Sequence, residues 1–496
     1  MTTAAYRALE ARFRRIGTLD NIAGMLHWDA SVMMPAGAGD SRAEELATLA
    51  MLGHRELTDP ALARLLEAGL AEQEGLDPWR RANLREMAER RRHAVALPDD
   101  LVEARSRAAS AAEMAWRQAR ADDDFALLAP HLDRVLGLTR EAAAAKAAVL
   151  GLAPYDALVA EYEPDVDSAA IDRLFDQLAA RLPALLERVE ERQSREGEVA
   201  ALAAVPVEAQ RVLGRRLIAA LGFDSERGRL DDSLHPFTGG HAGDVRLTAR
   251  YAEGDFTDGI MAVLHECGHA LYEQGLPADW RGQPVGQARG MMLHESQSLF
   301  VEMQLARGRP FLGYLAGLLP DVFPTGSAPR PKDLVRHVQR VSRGFIRVEA
   351  DELTYPFHVM LRTRLERAML AGDLVVGDLP GVWRDGMRDL LGVVPPDDRQ
   401  GVLQDIHWPD GAFGYFPTYT LGALAAAQLY RAADAALPDL DRQIADGDFA
   451  ALIGWCRANV HAHGSRLTGP ELLQAATGAP LSADAFLDHV ERRYLG

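Results

Sequence analysis

Two histidines and a glutamate with the spacing H-E-x-x-H offer the clearest chemistry in this sequence: His265, Glu266 and His269. On an α-helix, residues four positions apart lie on one face, one turn apart. Both imidazoles can therefore bind a single Zn²⁺ while Glu266 points at the open coordination position, and a third ligand and a water complete a tetrahedron. The alternative interpretation is a helix whose two histidines face the core or the solvent and bind no metal.

A third metal ligand is expected on another helix, further along the chain. The segment that opens after Gly290 contains three candidates, His294, Glu295 and Glu302. His294 and Glu295 point about 100° apart on a helix, so only one of these two can face the metal. We favour Glu295, because two histidines and a glutamate form a ligand set of catalytic zinc peptidases.

A histidine and two tyrosines form a second candidate cluster. His407 is followed after eight and twelve residues by Tyr415 and Tyr419, in a loop punctuated by glycines. Neutral donors of this kind can stabilise the negative charge that develops on a scissile carbonyl. As isolated residues, however, the two tyrosines are more typical of core aromatics.

The helix that carries H-E-x-x-H has recognisable ends. Thr257 or Asp258 is an acceptable N-cap, and Gly275 followed by Pro277 indicates the C-terminus. The apolar side of this helix includes Cys267, which we expect to be a buried small hydrophobe and not a ligand.

The remainder of the chain predicts an all-α fold with one small β-element. From Tyr6 to about Leu221, apolar residues recur at three- and four-residue steps, as in successive amphipathic helices. After a loop over Ser233–Gly240, the segment Asp244–Tyr251 alternates polar and apolar residues and is the one predicted strand. A strand beside a catalytic helix can bind an extended peptide by strand addition, and a short structural hairpin is the alternative.

Composition restricts the class of partner and the compartment. The chain has 496 residues, a formal net charge of -18 and two cysteines. This acidic balance argues against binding to a nucleic-acid backbone. Because one cysteine lies inside the H-E-x-x-H helix, we expect no disulfide framework and a reducing compartment. The sequence has no basic and apolar leader and no apolar run of about 18 residues, so we expect a cytoplasmic protein without a membrane span.

Six motifs follow one another between His235 and Trp408. They are His235-Pro-Phe237, Asp244-Val-Arg-Leu-Thr248, His265-Glu-Cys-Gly-His269, His294-Glu-Ser-Gln297, Ile346-Arg-Val-Glu-Ala-Asp351 and Gly401-Val-Leu-Gln-Asp-Ile-His-Trp408. In type and order they resemble the motifs of the carboxypeptidase Taq family of metallocarboxypeptidases. Trp28-Asp29 and Met34-Pro35 fit the family as well, so the resemblance covers essentially the full length.

The resemblance implies a two-lobed helical fold with the metal on the floor of a deep central groove. This layout is similar to that of angiotensin-converting-enzyme-like and thimet-oligopeptidase-like peptidases. We expect one catalytic unit over residues 1–496, with an N-terminal helical lobe over 1–230 and the metal-site and groove-forming part over 231–496. The implied activity is the release of single residues from peptides with a free C-terminus, with broad specificity, by a homodimer.

The resemblance also assigns roles to the residues of the two clusters. The implied metal ligands are His265, His269 and Glu295. Glu266 becomes the general base, with Zn²⁺ as the expected ion and Co²⁺ as an alternative. By the looser similarity to the other two peptidase groups, His407 with Tyr415 or Tyr419 would bind the oxygen of the scissile carbonyl.

Three further residues are candidates for substrate binding: Arg347, Arg246 and His235. A forked guanidinium is the natural partner of a free C-terminal carboxylate. Arg347 is the leading candidate, because the resemblance locates its motif in the cleft, and Arg246 is the second. By spacing alone, Arg347 and Asp351 predict only an ordinary i,i+4 ion pair.

The chain departs from the family pattern in one place. After Ser298 the family usually has an arginine, an aromatic residue and Glu-Asn, whereas Leu299, Val301 and Met303 stand here. We therefore expect the support of the ligand helix, or a dimer contact, to differ at this point.

Two other functions are compatible with the same zinc motif. The first is an endo-oligopeptidase or a dipeptidyl carboxypeptidase that uses this metal site. The second belongs to another class, a helical binding protein whose metal site is catalytically inactive.

Overall fold

Helices make up most of the chain. The computed structural model describes residues 4–197, 199, 201–233, 235–323 and 328–496. Before the first strand, the described residues form α1 (Ala4–Val32), α2 (Gly39–Thr58), α3 (Pro60–Ala71), α4 (Pro78–Val95), α5 (Asp99–Asp122), α6 (Phe125–Leu150), α7 (Pro154–Val159), α8 (Ser168–Arg195) and α9 (Val207–Ala220). After the last strand they form α10 (Phe256–Gly275), α11 (Gly290–Leu299), α12 (Arg309–Leu318), α13 (Pro331–Val338), α14 (Tyr355–Ala371), α15 (Leu379–Leu391), α16 (Pro417–Ala436), α17 (Leu440–Ala445), α18 (Ala450–Asn459), α19 (Gly469–Thr477) and α20 (Asp484–Leu495). The predicted mainly helical fold is confirmed.

The H-E-x-x-H helix, α10, ends at Gly275 as predicted, but it begins earlier than predicted. The N-cap is Asp255, whose carboxylate accepts a hydrogen bond of 2.8 Å from the backbone N–H of Thr257. The prediction of Thr257 or Asp258 as the cap was therefore wrong. The three residues can all cap a helix, and only the backbone conformation decides between them.

The small β-element is a three-stranded sheet formed by β1 (Gly228–Asp232), β2 (Thr238–His241) and β3 (Asp244–Ala249). The strand order is β1-β3-β2, with β3 parallel to β1 and antiparallel to β2. β3 confirms the predicted strand. β2 falls in the segment predicted as a loop, because its two central glycines are atypical of strands. The sheet brings Thr238 at the start of β2 opposite Leu247 of β3.

Three helices approach one another closely around Glu295 of α11. A Cβ atom on Gly268 of α10 would lie 2.3 Å from the carbonyl oxygen of Gln297 in α11. A Cβ atom on Gly422 of α16 would lie 2.8 Å from the Cβ atom of Glu295. Glycine at these two positions therefore permits both contacts of α11.

The chain continues from α11 directly into a π-helical segment, Phe300–Ala306. The residues that depart from the family pattern are buried at this junction: Leu299, Val301 and Met303. The guanidinium of Arg493 in α20 donates hydrogen bonds to the carbonyls of Met303 and Gln304 in this segment. Short π-helical segments are frequent at functional sites, and this one carries Glu302.

The buried apolar side chains form two cores. The smaller core joins α1, α3 and α4 through side chains such as Tyr6, Phe13 and Leu84. The larger core runs from Ala112 to Tyr494 and includes Cys267, which is buried as predicted.

The division into two parts near residue 230 stays a prediction. Among the described residues, no helix combines the length and the hydropathy that a membrane span requires.

We expect Gly268→Ala to lower the midpoint of thermal unfolding. The added methyl group would overlap the backbone of α11, and such overpacking costs about 1–3 kcal/mol. The measurement is a thermal melt of the chelator-treated protein, followed by circular dichroism. Gly454 is the control, since it is exposed in α18 and its Cβ position is open. Gly454→Ala should leave the midpoint equal or higher, and an unchanged midpoint for Gly268→Ala would contradict the close contact.

Candidate metal centre

Three side chains on α10 and α11 bring their ligand atoms together. The Nε2 atom of His269 lies 3.4 Å from one carboxylate oxygen of Glu295, and Nε2 of His265 lies 4.0 Å from the other. The three ligand atoms all lie within 4.8 Å of one another. Ligand atoms of a tetrahedral zinc ion, at bonds of about 2.0–2.2 Å, are about 3.4 Å apart. The three side chains therefore fit a zinc-sized cation.

The second nitrogen of each imidazole has its own partner. Nδ1 of His265 lies 3.0 Å from a carboxylate oxygen of Glu302, and Glu302 in turn accepts a hydrogen bond of 2.7 Å from Arg307. Nδ1 of His269 lies 3.1 Å from the backbone carbonyl of His294. These contacts orient both rings so that each Nε2 atom faces Glu295. In metal sites, residues that bind the second nitrogen of a ligand histidine orient its ring in the same way.

The other two ligand candidates are engaged elsewhere. Glu302 contacts the far side of the His265 ring, and the side chain of His294 pairs with Glu273 at 3.1 Å. The ring of His294 stacks on that of His269, with 4.5 Å between the centroids. The structure thus brings Glu295, and neither of its two competitors, to the Nε2 side of both histidines.

The charges around the three side chains favour a cation. Burial opposes protonation of His265, but the hydrogen bond to Glu302 and the charges of Glu295 and Glu266 outweigh it and raise the pKa of His265 to about 10. Arg307 neutralises one of these three carboxylates. The excess of negative charge in a buried site is the environment in which a divalent cation replaces protons.

Glu266 lies beside the three side chains and is 6% exposed. One oxygen of its carboxylate, Oε2, accepts a hydrogen bond of 2.7 Å from the hydroxyl of Thr238 in β2. Thr238 could not be identified from the sequence, because nothing in a threonine next to paired glycines indicates a partner 28 positions away in the chain.

The predicted donors form a compact aromatic cluster. Nε2 of His407 lies 3.0 Å from the hydroxyl oxygen of Tyr419, and the rings of Tyr415 and Tyr419 have centroids 5.2 Å apart. Burial raises the pKa of Tyr419 to about 12 and that of Tyr415 well above its ordinary value, and the charge of Glu295 adds to both effects. Burial, with the charge of Arg347, lowers the pKa of His407 to about 3. All three side chains are therefore neutral at neutral pH and can act as neutral hydrogen-bond donors.

Arg347 is buried against this cluster, and the alternative interpretation from its spacing, an ion pair with Asp351, was wrong. Nε and Nη2 of Arg347 donate to one oxygen of Asp405, at 3.1 and 2.9 Å, and Arg362 donates to the other oxygen at 2.6 Å. Arg347 lies in a short 3₁₀ helix, Arg347–Glu349, in which the i,i+4 geometry of an α-helix does not apply. The carboxylate of Asp351 accepts instead from backbone N–H groups, among them that of Ser342.

This cluster has one unbalanced positive charge. Two guanidinium groups, those of Arg347 and Arg362, share the single carboxylate of Asp405. The guanidinium carbon of Arg347 lies 4.6 Å from the ring centroid of Tyr419. A cationic site therefore adjoins Tyr419. Sequence reasoning could not find Arg362 or Asp405 in this role, because they are brought together only by the fold.

The other two candidates for substrate binding have different surroundings. Both carboxylate oxygens of Asp244 accept from Arg246, at 3.0 and 2.7 Å, and the guanidinium of Arg246 lies over the ring of Trp28 at 4.5 Å. The charge of Arg246 is therefore balanced by one acid. His235 is exposed, and its pKa is lowered by partial burial and by nearby arginines.

A cavity of about 750 Å³ adjoins the site. It lies between α4 and α6 on one side and the segment 284–294 on the other, and both His294 and Tyr162 line it. His294 stacks on His269, and the ring of Tyr162 meets that of Tyr415 edge-on, with 5.0 Å between the centroids. The cavity therefore lies next to residues that contact the candidate ligands and the donor cluster, although none of those ligands or donors lines it. Its volume is that of a ligand-binding pocket.

Comparisons with known proteins cover nearly the whole chain. The family model described as carboxypeptidase Taq (M32) metallopeptidase matches residues 8–494. The chain is 40% identical to thermostable carboxypeptidase 1 of Thermus thermophilus, over 99% of this chain and 98% of that protein. It is 32% identical to carboxypeptidase 1 of Bacillus subtilis, over 97% and 96% of the two chains.

Solved structures are similar over the same extent. Metallocarboxypeptidase 1 of Trypanosoma cruzi superposes with a TM-score of 0.96 at 38% identity, over 99% of each chain. The M32 carboxypeptidase of Deinococcus radiodurans superposes with a TM-score of 0.92 at 35% identity, also over 99% of each chain.

We expect Glu302→Gln to weaken the binding of a divalent metal by about 10- to 100-fold, the usual loss when the outer partner of a ligand histidine is changed. The variant keeps the size of the side chain and removes the charge that holds His265. The measurement is a competition titration with a chromogenic chelator. Glu273→Gln is the matched control, since this nearby acid pairs with His294. Wild-type affinity in Glu302→Gln, or an equal loss in Glu273→Gln, would contradict the arrangement.

Proposed function

The chain belongs to the carboxypeptidase Taq (M32) family of metallopeptidases, and from that premise we propose that it releases single amino acids from peptide C-termini with broad specificity, using Zn²⁺. Membership makes the protein a metal-dependent carboxypeptidase, a hydrolase that acts on peptides with a divalent metal. The observation that carries the finer proposal is the convergence of His265, His269 and Glu295, with Glu266 beside them.

The three converging side chains are the proposed metal ligands. Two neutral imidazoles and one carboxylate suit zinc, with cobalt as an alternative, and leave a coordination position for water. The bound ion would acidify that water and polarise the scissile carbonyl. The protein holds the two imidazoles in place through the partners of their Nδ1 atoms, Glu302 and the carbonyl of His294.

Glu266 is the proposed general base. Its Oε2 atom is engaged by Thr238, so Oε1 is the oxygen available to a reacting water. In this mechanism Glu266 removes the proton from the attacking water and later delivers it to the leaving amine.

The tyrosine and histidine cluster is proposed to stabilise the oxyanion. With its proton on Nε2, His407 donates to the hydroxyl oxygen of Tyr419 and leaves the hydroxyl proton of Tyr419 free for the substrate. Tyr415 is the neighbouring donor. Neutral donors held by packing cost no reorganisation when charge develops on the carbonyl oxygen.

Arg347 is the proposed partner of the substrate carboxylate. The pair of guanidinium groups around Asp405 has an excess of one positive charge, which a C-terminal carboxylate would balance. Arg246 offers no such excess, because Asp244 already neutralises it. His235 would be an outer contact of the peptide, since it is exposed.

Two further proposals concern assembly and location. The homodimer is proposed from the family resemblance alone. The two cysteines, Cys267 and Cys456, are buried and form no disulfide. Because free thiols persist in reducing compartments, this supports a cytoplasmic location.

A peptide ladder tests the proposed activity. We expect an N-terminally blocked decapeptide to lose one residue at a time from its C-terminus, as followed by mass spectrometry. Loss of two residues at a time would identify a dipeptidyl carboxypeptidase, and internal fragments would identify an endo-oligopeptidase. Glu266→Gln is the control: it should retain its metal and produce no ladder, because the amide cannot accept the proton. A full ladder from Glu266→Gln would contradict the role of the base.

We expect Arg347→Met to lower kcat/KM by about 10- to 100-fold on peptides with a free C-terminus, the effect of losing a hydrogen bond to a charged group. Peptides with an amidated C-terminus, which lack the charge, should react equally slowly with the variant and the wild type. The variant leaves Asp405 paired with Arg362, so no acid is left unbalanced.

Arg246→Met is the matched control, and it should change kcat/KM less on free-acid peptides. Equal losses on free-acid and amidated peptides with Arg347→Met, or a larger selective loss with Arg246→Met, would show that the carboxylate is bound elsewhere.

A further inference from the structure

The hydroxyl of Thr238, at the start of β2, bridges the edge of the sheet and the proposed general base on α10. Its Oγ1 atom lies 2.7 Å from Oε2 of Glu266 and 3.0 Å from the backbone carbonyl oxygen of the same residue. We propose that Thr238 is a positioning residue: it holds the carboxylate of Glu266 so that Oε1 faces the reacting water. The proposal rests on the role of Glu266 proposed above.

The orientation of the Glu266 carboxylate depends on one hydrogen bond, the one from Thr238. Among the described residues, Thr238 is the hydrogen-bond donor to this side chain. The hydroxyl has one proton and two acceptors within reach, and the hydrogen bond to an ionised carboxylate is the stronger of the two. Without the hydroxyl, rotation about the last bond of Glu266 would exchange its oxygens and leave neither held.

The backbone of Thr238 is held by the sheet, an element separate from α10. Thr238 pairs with Leu247 of β3 in antiparallel register, and its β-branched side chain has few rotamers. The preceding residue, Phe237, is held by a 2.9 Å hydrogen bond from the backbone N–H of Thr248 and donates its own N–H to the hydroxyl of Thr248. The donor to the base is thus fixed on an element separate from the helix that carries the base.

A residue with this role should affect the rate of the reaction and leave binding unchanged. Among the described residues, Thr238 forms no hydrogen bond with the three candidate metal ligands. The affinity of the protein for the metal should therefore not depend on Thr238. Misorientation of a general base lowers kcat, because proton transfer requires the acceptor within hydrogen-bond reach of the water. KM is not expected to change in parallel.

The test compares Thr238→Val with Thr238→Ser on the metal-loaded, full-length protein. Thr238→Val keeps the shape and removes the hydroxyl, and we expect kcat to fall about 10- to 100-fold with KM and metal affinity within twofold of wild type. Thr238→Ser restores the hydroxyl and should recover most of kcat. If Thr238→Val does not fold, Thr238→Ala carries the same comparison with Thr238→Ser.

Thr363→Val is the matched control. This buried threonine also donates to a backbone carbonyl, that of Val359 within α14, and its replacement should leave kcat and KM unchanged. In a Glu266→Gln background, Thr238→Val should not lower the residual turnover, measured at high enzyme concentration and long incubation, because the two residues act as one unit.

Several results would overturn the proposal. Wild-type kcat in Thr238→Val, no recovery in Thr238→Ser, or an additional loss in the Glu266→Gln background would each show that the hydroxyl does not act through the base. These outcomes are distinct from failure of the proposed function, in which Glu266→Gln itself would retain full activity.

Discussion

The contact between α10 and α11 is the constraint on which the rest of the site depends. The two histidines and the glutamate can meet only because the helices approach to the distance that a glycine at position 268 permits. A second glycine, Gly422, allows α16 to pack on the side chain of Glu295 itself. α16 also carries Tyr419, so the candidate metal ligands and the proposed oxyanion donor are fixed relative to each other by helix packing rather than by loops.

The charges of the site are separated into two clusters of opposite sign. Three carboxylates surround His265, with one arginine to balance them, whereas two arginines share Asp405 on the other side of the tyrosines. The first environment suits a dication, and the second suits a carboxylate. Both clusters are buried, where unbalanced charge is costly and a partner of opposite sign binds strongly. A peptide with a free C-terminus, the substrate class proposed above, would supply a partner for the second cluster while the first holds the metal.

Local patterns in the sequence were sufficient for the helical character of the chain and for β3, and insufficient for β2 and for the contacts between elements. The spacing of His265 and His269 and the end of α10 at Gly275 could be predicted, because one helix determines both. The roles of Thr238 and Arg362 could not, since their partners lie 28 and 43 positions away. The predicted pairing of Arg347 failed for the same reason: a local rule was applied to a residue that the fold pairs with Asp405, 58 positions away.

The proposed metal site consists of His265, His269 and Glu295 around one divalent ion. The most direct measurement is a crystal structure of the protein loaded with one equivalent of zinc, with anomalous data collected on both sides of the zinc edge. The account predicts one dominant anomalous peak at bonding distance, about 2.0–2.2 Å, from Nε2 of both histidines and from the carboxylate of the glutamate. A dominant peak elsewhere, such as between Glu273 and His294, or an ion bound by Glu302 in place of Glu295, would contradict it.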